Sequence, residues 1–253
     1  MDSRVATAVA IGGNEEYGTM SVGVGNGDRN KVIPYKRSEE LKALTVHRSL
    51  GYRFTKRTFD IIISLLALII LSPVFIITAI AIKTEDHGPV FFTQERVGIG
   101  KKVFSMYKFR SMRVGAAEMH EDLKERYGCD DVSFKLKEDP RVTRVGHLIR
   151  EWNIDELPQI INILKGDMSF VGPRPLPVYE YEEEQKIYEG KYDDRYVVPQ
   201  GLTCIWQISH RSEPDFADRM QMDVDYATKC GVWMDIKLFM QTFIYSLFGK
   251  AAY

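Results

Sequence analysis

The run Ile61–Ile82 constrains this chain more than any other stretch: 22 residues carry no charge, and Ile and Leu dominate them. A straight helix of that length would reach about 33 Å at about 1.5 Å per residue, enough to cover the hydrocarbon core of a bilayer. Ser72–Pro73 falls at its middle, where proline removes a backbone hydrogen bond and bends a helix. Both flanks are basic, with Arg53, Lys56 and Arg57 before the run and Lys83 after it, and Arg96, Lys101 and Lys102 beyond. Positive flanks stay on the cytoplasmic side of a membrane. The sequence therefore predicts a helix that enters, bends at Ser72 and Pro73, and leaves by the same face. A kinked single span is the competing reading.

A second stretch carries the chemistry. Residues 155–175 read DELPQIINILKGDMSFVGPRP. Ile160, Ile161, Ile163 and Leu164 fit one side of a short helix ended by Gly166, and Pro158 places its start near Asp155. Asp155 then reads as the N-cap and Glu156 as a first-turn residue. A helix start favours anions, so Asp155 is expected to be ionised there and a phosphate to be welcome beside it. An ionised carboxylate next to a phosphate is a candidate nucleophile, and Glu156 is a candidate ligand for a divalent metal. The bland alternative is ordinary helix punctuation, for which Asp and Pro are common. In VGPRP, prolines on both sides of Arg174 restrict the backbone and aim the guanidinium, which suits bidentate phosphate binding.

The remaining segments support these two. Val90–Thr93 and Val103–Phe109 suit a β-hairpin turning at Gly98–Lys101. An exposed helix is expected near 116–127 and another over Val178–Tyr196, both largely solvated. Phe216–Phe248 carries Met220, Val224, Trp233, Ile236, Met240, Phe243, Ile244 and Leu247 at helical spacing. Asp235 and Lys237 argue against a second crossing there. These helices either lie on a membrane surface or pack on the core. Residues 1–50 show little apolar periodicity and read as a flexible extension with a short helix near Ser38–Leu44. A net charge of −1 gives no basic character to suggest nucleic acid. The three cysteines, Cys129, Cys204 and Cys230, are odd in number and far apart, which points to buried thiols rather than disulfides.

DELPQ, KGDMSFVGPRP, QERVG (Gln94–Gly98), YKFRSM (Tyr107–Met112), DPRVTRVGHLIR (Asp139–Arg150) and QGLTCIWQISHRSE (Gln200–Glu213) together resemble the bacterial sugar transferase family. These are monotopic phosphoglycosyl transferases acting on polyprenyl phosphate, and the likeness runs from about Arg53 to the C-terminus. The resemblance implies an α+β fold: a re-entrant membrane helix over 51–87, broken at Ser72–Pro73, and a cytosolic catalytic α/β domain over 88–253 with amphipathic membrane-surface helices. It implies transfer of a sugar phosphate from a UDP-sugar to undecaprenyl phosphate, with release of UMP and with Mg2+, at the cytoplasmic face of a bacterial inner membrane. Asp155 would be the nucleophile and Glu156 the metal ligand. Arg96, Lys108, Arg110, Arg150 and Arg174 would contact phosphate, with one of Lys108 and Arg110 facing the site, and Gln207 and Arg211 would bind substrate. A homo-oligomer is compatible with it, and the GKAAY ending is similar to that of exopolysaccharide members. Gln200, Cys204 and His210 depart from the family's Pro, Gly and Gly, which bears on donor preference rather than on the reaction. Two rivals are a membrane-anchored scaffold and a phosphohydrolase using the same acid pair.

Overall fold

The apolar run folds as two helices, α1 (Leu50–Ile70) and α2 (Ser72–Asp86), bent by 60° at Leu71. The computed structural model describes residues 50–116, 119, 139–208 and 215–248. The N-terminal extension, most of the helix expected near 116–127, Cys129, His210, Arg211 and the GKAAY ending lie outside the described residues. Among those described, no single helix is long and apolar enough to cross a membrane.

The break follows from local chemistry. Pro73 sits in the first turn of α2 and has no N–H to offer the carbonyl four residues back, that of Ile69. The Ser72 hydroxyl donates to that carbonyl instead, at 2.8 Å. Ser72–Pro73 is thus a bend whose orphaned acceptor is satisfied from within.

Each helix has a docked end and an exposed end. In α1, Asp60 is buried, and its Oδ1 accepts from Ser169 Oγ (3.0 Å) and from the Phe170 N–H (3.1 Å). Arg57 donates to the carbonyls of Ile163 and Leu164, both at 2.6 Å. Lys56 pairs with Asp235 at 2.8 Å. In α2, Glu85 accepts from the N–H groups of Arg144 and Val145, and Asp86 forms a two-pronged pair with Arg110. Between these ends, Ile62, Leu65, Leu66, Ile69, Ile70, Ile76, Ile77 and Ile80 are all exposed. The basic flank before the run is therefore not simply charge near a membrane, because Lys56 and Arg57 are spent on contacts within the protein. Lys101 is likewise buried, paired with Asp193 at 2.7 Å.

Strands β1 (Phe91–Val97) and β2 (Val103–Phe109) form the expected antiparallel hairpin, with Phe92 opposite Lys108. Its turn is a short 3-10 segment, with Gly100 and Lys101 at positive φ. Helix α3 (Arg144–Glu151) follows, capped by the Thr143 hydroxyl on the Gly146 N–H. Helix α4 (Gln159–Lys165) ends at Gly166, φ 92°, as expected. Strand β3 (Met168–Val171) pairs in parallel with β4 (Gln200–Thr203). Between them lie α5 (Val178–Tyr188) and a 3-10 segment, Asp193–Val197; Tyr181 and Glu184 of α5 are buried, so this helix is less solvated than expected. A four-residue helix α6 (Ile205–Ile208) precedes α7 (Phe216–Lys229) and α8 (Val232–Phe248).

The main core gathers Met106, Ile163, Met168, Phe170, Val171, Tyr226 and Leu238, and an edge-on trio of Phe59, Phe170 and Phe239 ties α1, β3 and α8 to it. The apolar spacing over Phe216–Phe248 divides between two environments. Met220 is buried in α7, whereas Trp233 of α8 is 84% exposed and Ile236, Met240, Phe243 and Ile244 are exposed to a lesser degree.

Asp60 generates the first prediction. Asp60→Ala leaves a buried amide and a buried hydroxyl without an acceptor, so stability should fall by about 2–3 kcal/mol, while Asp60→Asn keeps an oxygen and costs about 1 kcal/mol or less. Thermal unfolding in detergent reads both. Equal stability of Asp60→Ala and the parent chain would contradict the docking described.

Candidate active site

Two chain segments converge on Glu156. Lys108 reaches it from the end of β2 (Nζ to Oε1, 3.0 Å), and Arg174 from the loop after β3 (Nη2 to the same Oε1, 2.6 Å). Burial alone would raise the Glu156 carboxyl, but Arg174 and Lys108 overcome it and hold the group well below the ordinary carboxylate range. Asp155 stands next to this clamp, half-buried. Its carboxyl is pushed up from its ordinary value, foremost by burial and also by Glu156, against the pull of Lys108, Arg150 and Arg174.

The local backbone differs from the expectation in one respect. Asp155 is not an N-cap: Ile154–Glu156 form a separate 3-10 turn, Pro158 occupies the N-cap position, and α4 begins at Gln159. The turn is entered through Asn153 in the left-handed conformation (φ 53°), which Asn tolerates better than most residues. Pro158 has no side chain to cap with, and its helix is only seven residues long. The dipole argument for an ionised Asp155 therefore falls away, and the pull of the neighbouring cations is outweighed by burial.

Asn162 aligns the parts and was not singled out from the sequence. Fully buried on α4, it accepts from the Tyr107 N–H (2.9 Å) and donates to the Ser105 carbonyl (2.8 Å) and to Asp167 (3.1 Å). This fixes β2, and so Lys108, against the helix that follows Glu156. A buried Asn in an otherwise apolar helical stripe was the available signal.

The Arg174 loop is held along its length. Gly172 and Gly201 cross so closely that a Cβ on Gly201 would lie 2.1 Å from the Gly172 nitrogen. Gly201 N–H donates to Pro173 O (2.8 Å), Arg195 to the Arg174 carbonyl (2.6 Å), and Arg96 to Pro175 O (2.8 Å). Arg195 is itself fully buried, paired with Asp223 at 2.6 Å.

The other expected cations divide. Arg150 faces the site electrostatically and donates to Ser111 Oγ at 2.9 Å. Arg96 lies beside Arg174, its guanidinium on Pro175 O and Gln94 Oε1; burial and the Arg174 charge push it down to about 10. Of Lys108 and Arg110, Lys108 is the one brought to the acid pair. Arg110 lies past the end of β2 and spends its guanidinium on Asp86 and the Pro89 carbonyl, so the structure does not bring it to the acid pair. Gln207 Oε1 accepts from the Cys204 N–H (3.1 Å) and thiol (3.2 Å), which makes Cys204 a prop for Gln207. Gln200 is buried and staples the Arg195 and Val198 carbonyls.

No cluster of three or more metal-ligating side chains occurs among the described residues. The acid pair alone suits a Mg2+ ion held mostly by substrate phosphates, and Glu156 would have to meet it with the oxygen that Lys108 and Arg174 leave.

Residues 51–249 match the family model described as "Bacterial sugar transferase". The chain is 41% identical over 203 residues to a galactosyl transferase, CpsE, of Streptococcus agalactiae, covering 80% of this chain and 44% of that protein. It is 39% identical over 206 residues to the Escherichia coli UDP-glucose:undecaprenyl-phosphate glucose-1-phosphate transferase, covering 79% and 42%. It is 35% identical over 195 residues to the exopolysaccharide production protein ExoY of Sinorhizobium fredii, covering 74% and 83%. The chain thus spans less than half the length of the first two and most of the third. The family model covers most of the sequence, and the chain belongs to the bacterial sugar transferase family.

Proposed function

We propose that this chain transfers a sugar phosphate from a UDP-sugar to undecaprenyl phosphate, releasing UMP, as an initiating step of exopolysaccharide or related glycan assembly. The observation that carries the reading is Asp155 beside a carboxylate already neutralised by two cations. Glu156 is committed to Lys108 and Arg174, which leaves Asp155 as the acid of the pair with no ion-pair partner among the bonds described. The Asp155 carboxylate attacks the sugar-proximal phosphorus, the bond to the bridging oxygen breaks, and UMP leaves with that electron pair. The lipid phosphate then attacks the same phosphorus, forming the diphosphate-linked lipid sugar and regenerating the carboxylate. Arg174 and Lys108, with Arg150 nearby, stabilise charge on the phosphoryl oxygens. Mg2+, when bound at Glu156 and the diphosphate, would supply further neutralisation of that charge.

The helix pair is proposed to be re-entrant. Its two ends dock on one domain, Lys56, Arg57 and Asp60 on one side and Glu85 and Asp86 on the other. Apolar arms of roughly 15 Å each, inclined equally about the bend, would carry the apex only about 8 Å deep, against about 30 Å for a crossing. The exposed stripe of α8 is proposed to rest on the same membrane, the inner membrane, with the site on its cytoplasmic face.

Asp155→Asn should lower UMP release from UDP-glucose or UDP-galactose by on the order of 10³-fold or more in detergent with undecaprenyl phosphate, without loss of folding. Near-normal turnover would end the nucleophile assignment. Sugar phosphate released without lipid would favour the phosphohydrolase, and silence with every UDP-sugar of a donor panel the scaffold.

A pH prediction follows from the same electrostatics. The attacking carboxylate must be ionised, burial raises its pKa, and Lys108 is the strongest influence lowering it. Lys108→Met should therefore shift the acidic limb of the kcat/KM profile to higher pH, because a higher carboxyl pKa leaves less ionised Asp155 at any given pH. A shift to lower pH would contradict the assignment.

A further inference from the structure

We propose that Lys56, on the membrane helix α1, is a positioning residue for Arg174, so that the seating of α1 sets the geometry of the phosphate-binding loop; this rests on the transferase reading above. Lys56 is nearly buried, and its ammonium has three N–H groups for three acceptors: Val171 O at 2.8 Å, Asp235 Oδ2 at 2.8 Å and Tyr226 Oη at 3.4 Å. Tyr226 has a single hydroxyl hydrogen. Its contact with Asp235 Oδ1, at 2.6 Å, is shorter than its 3.2 Å approach to Val171 O, so its proton goes to Asp235. Lys56 is then the donor that holds the Val171 carbonyl. Tyr52 adds a hydrogen bond to Asp235 at 2.8 Å, so α1 supplies two of the groups that orient this carboxylate.

Val171 ends β3 and opens the loop that carries Arg174. Little play exists between the two residues. Gly172 is locked against Gly201 by backbone atoms under 3 Å from any added Cβ, and the proline ring fixes φ at Pro173. A rotation of the Val171 peptide would therefore be transmitted to Arg174, whose own carbonyl is held at the far side by Arg195. A lysine serving only to tie α1 to α8 would need Asp235 and no more. The contact with Val171 is what links it to the site.

A double-mutant cycle tests this with the full-length chain in nanodiscs of anionic lipid, with UDP-glucose and UDP-galactose as donors and undecaprenyl phosphate as acceptor. Lys56→Met should lower kcat for UMP release about tenfold when Arg174 is present, the size of effect one displaced hydrogen-bonding group produces. In an Arg174→Lys background the same change should cost less than about twofold, because the group it positions is gone. A loss of stability alone would instead multiply through both backgrounds equally, and that result overturns the role of Lys56. If Lys56→Met does not fold, Tyr226→Phe, which removes one of the three acceptors, replaces it in the cycle with a smaller coupling of the same sign expected and independence again the overturning result. A parent chain that releases UMP from no UDP-sugar of a donor panel overturns the transferase reading, and this role with it.

Discussion

One carboxylate oxygen, Oε1 of Glu156, organises the candidate active site. Lys108 and Arg174 both bind it, so β2, the turn after α3 and the loop after β3 meet at a single point. Without that anion the two cations would repel each other across a partly dry site. With it, they are held where a phosphoryl group would need them, while the adjacent Asp155 stays outside the clamp. Two neighbouring acids of similar intrinsic strength are thereby separated by environment, one held low by paired charge and the other pushed up by burial.

The second organising constraint is the division of α1 along its length. Its first half carries Lys56, Arg57 and Asp60, each bonded to the backbone or side chains of the α/β part that follows the helix pair. Its second half presents Ile62, Leu65, Leu66, Ile69 and Ile70 outward. One helix can thus be a structural pillar of the domain at one end and an apolar surface at the other. The polar bonds also explain why buried charge is tolerated there: each group faces a carbonyl, an amide or an opposite charge rather than bare hydrocarbon.

Much of this was legible in the sequence. The break at Ser72–Pro73, the hairpin and the Gly166 helix end rest on residues with narrow backbone preferences, and the meeting of Arg174 with the acid pair rests on opposite charge. What escaped was set by tertiary contacts. Lys108 and Arg110 look equivalent in YKFRSM, but β2 ends at Phe109, so Arg110 leaves the strand and turns to Asp86. Lys56 and Arg57 look like topogenic charge until their partners, more than a hundred positions away, are known. Asp155 looked like a helix cap because Asp-x-x-Pro fits one; the extra 3-10 turn depends on Asn153 accepting a left-handed conformation. The apolar spacing of α8 was correct, but spacing cannot say whether a stripe faces the core or the outside.

The account stands on Asp155 accepting a phosphoryl group while Glu156 remains paired. Intact-mass and peptide spectrometry of the purified chain, quenched in acid after mixing with UDP-sugar and no lipid, addresses this directly. It predicts a sugar-phosphate adduct on the peptide containing Asp155, formed with an equal amount of UMP and discharged when undecaprenyl phosphate is added. UMP and lipid-linked product accumulating together, with Asp155 unmodified at every time point before lipid addition, would contradict it.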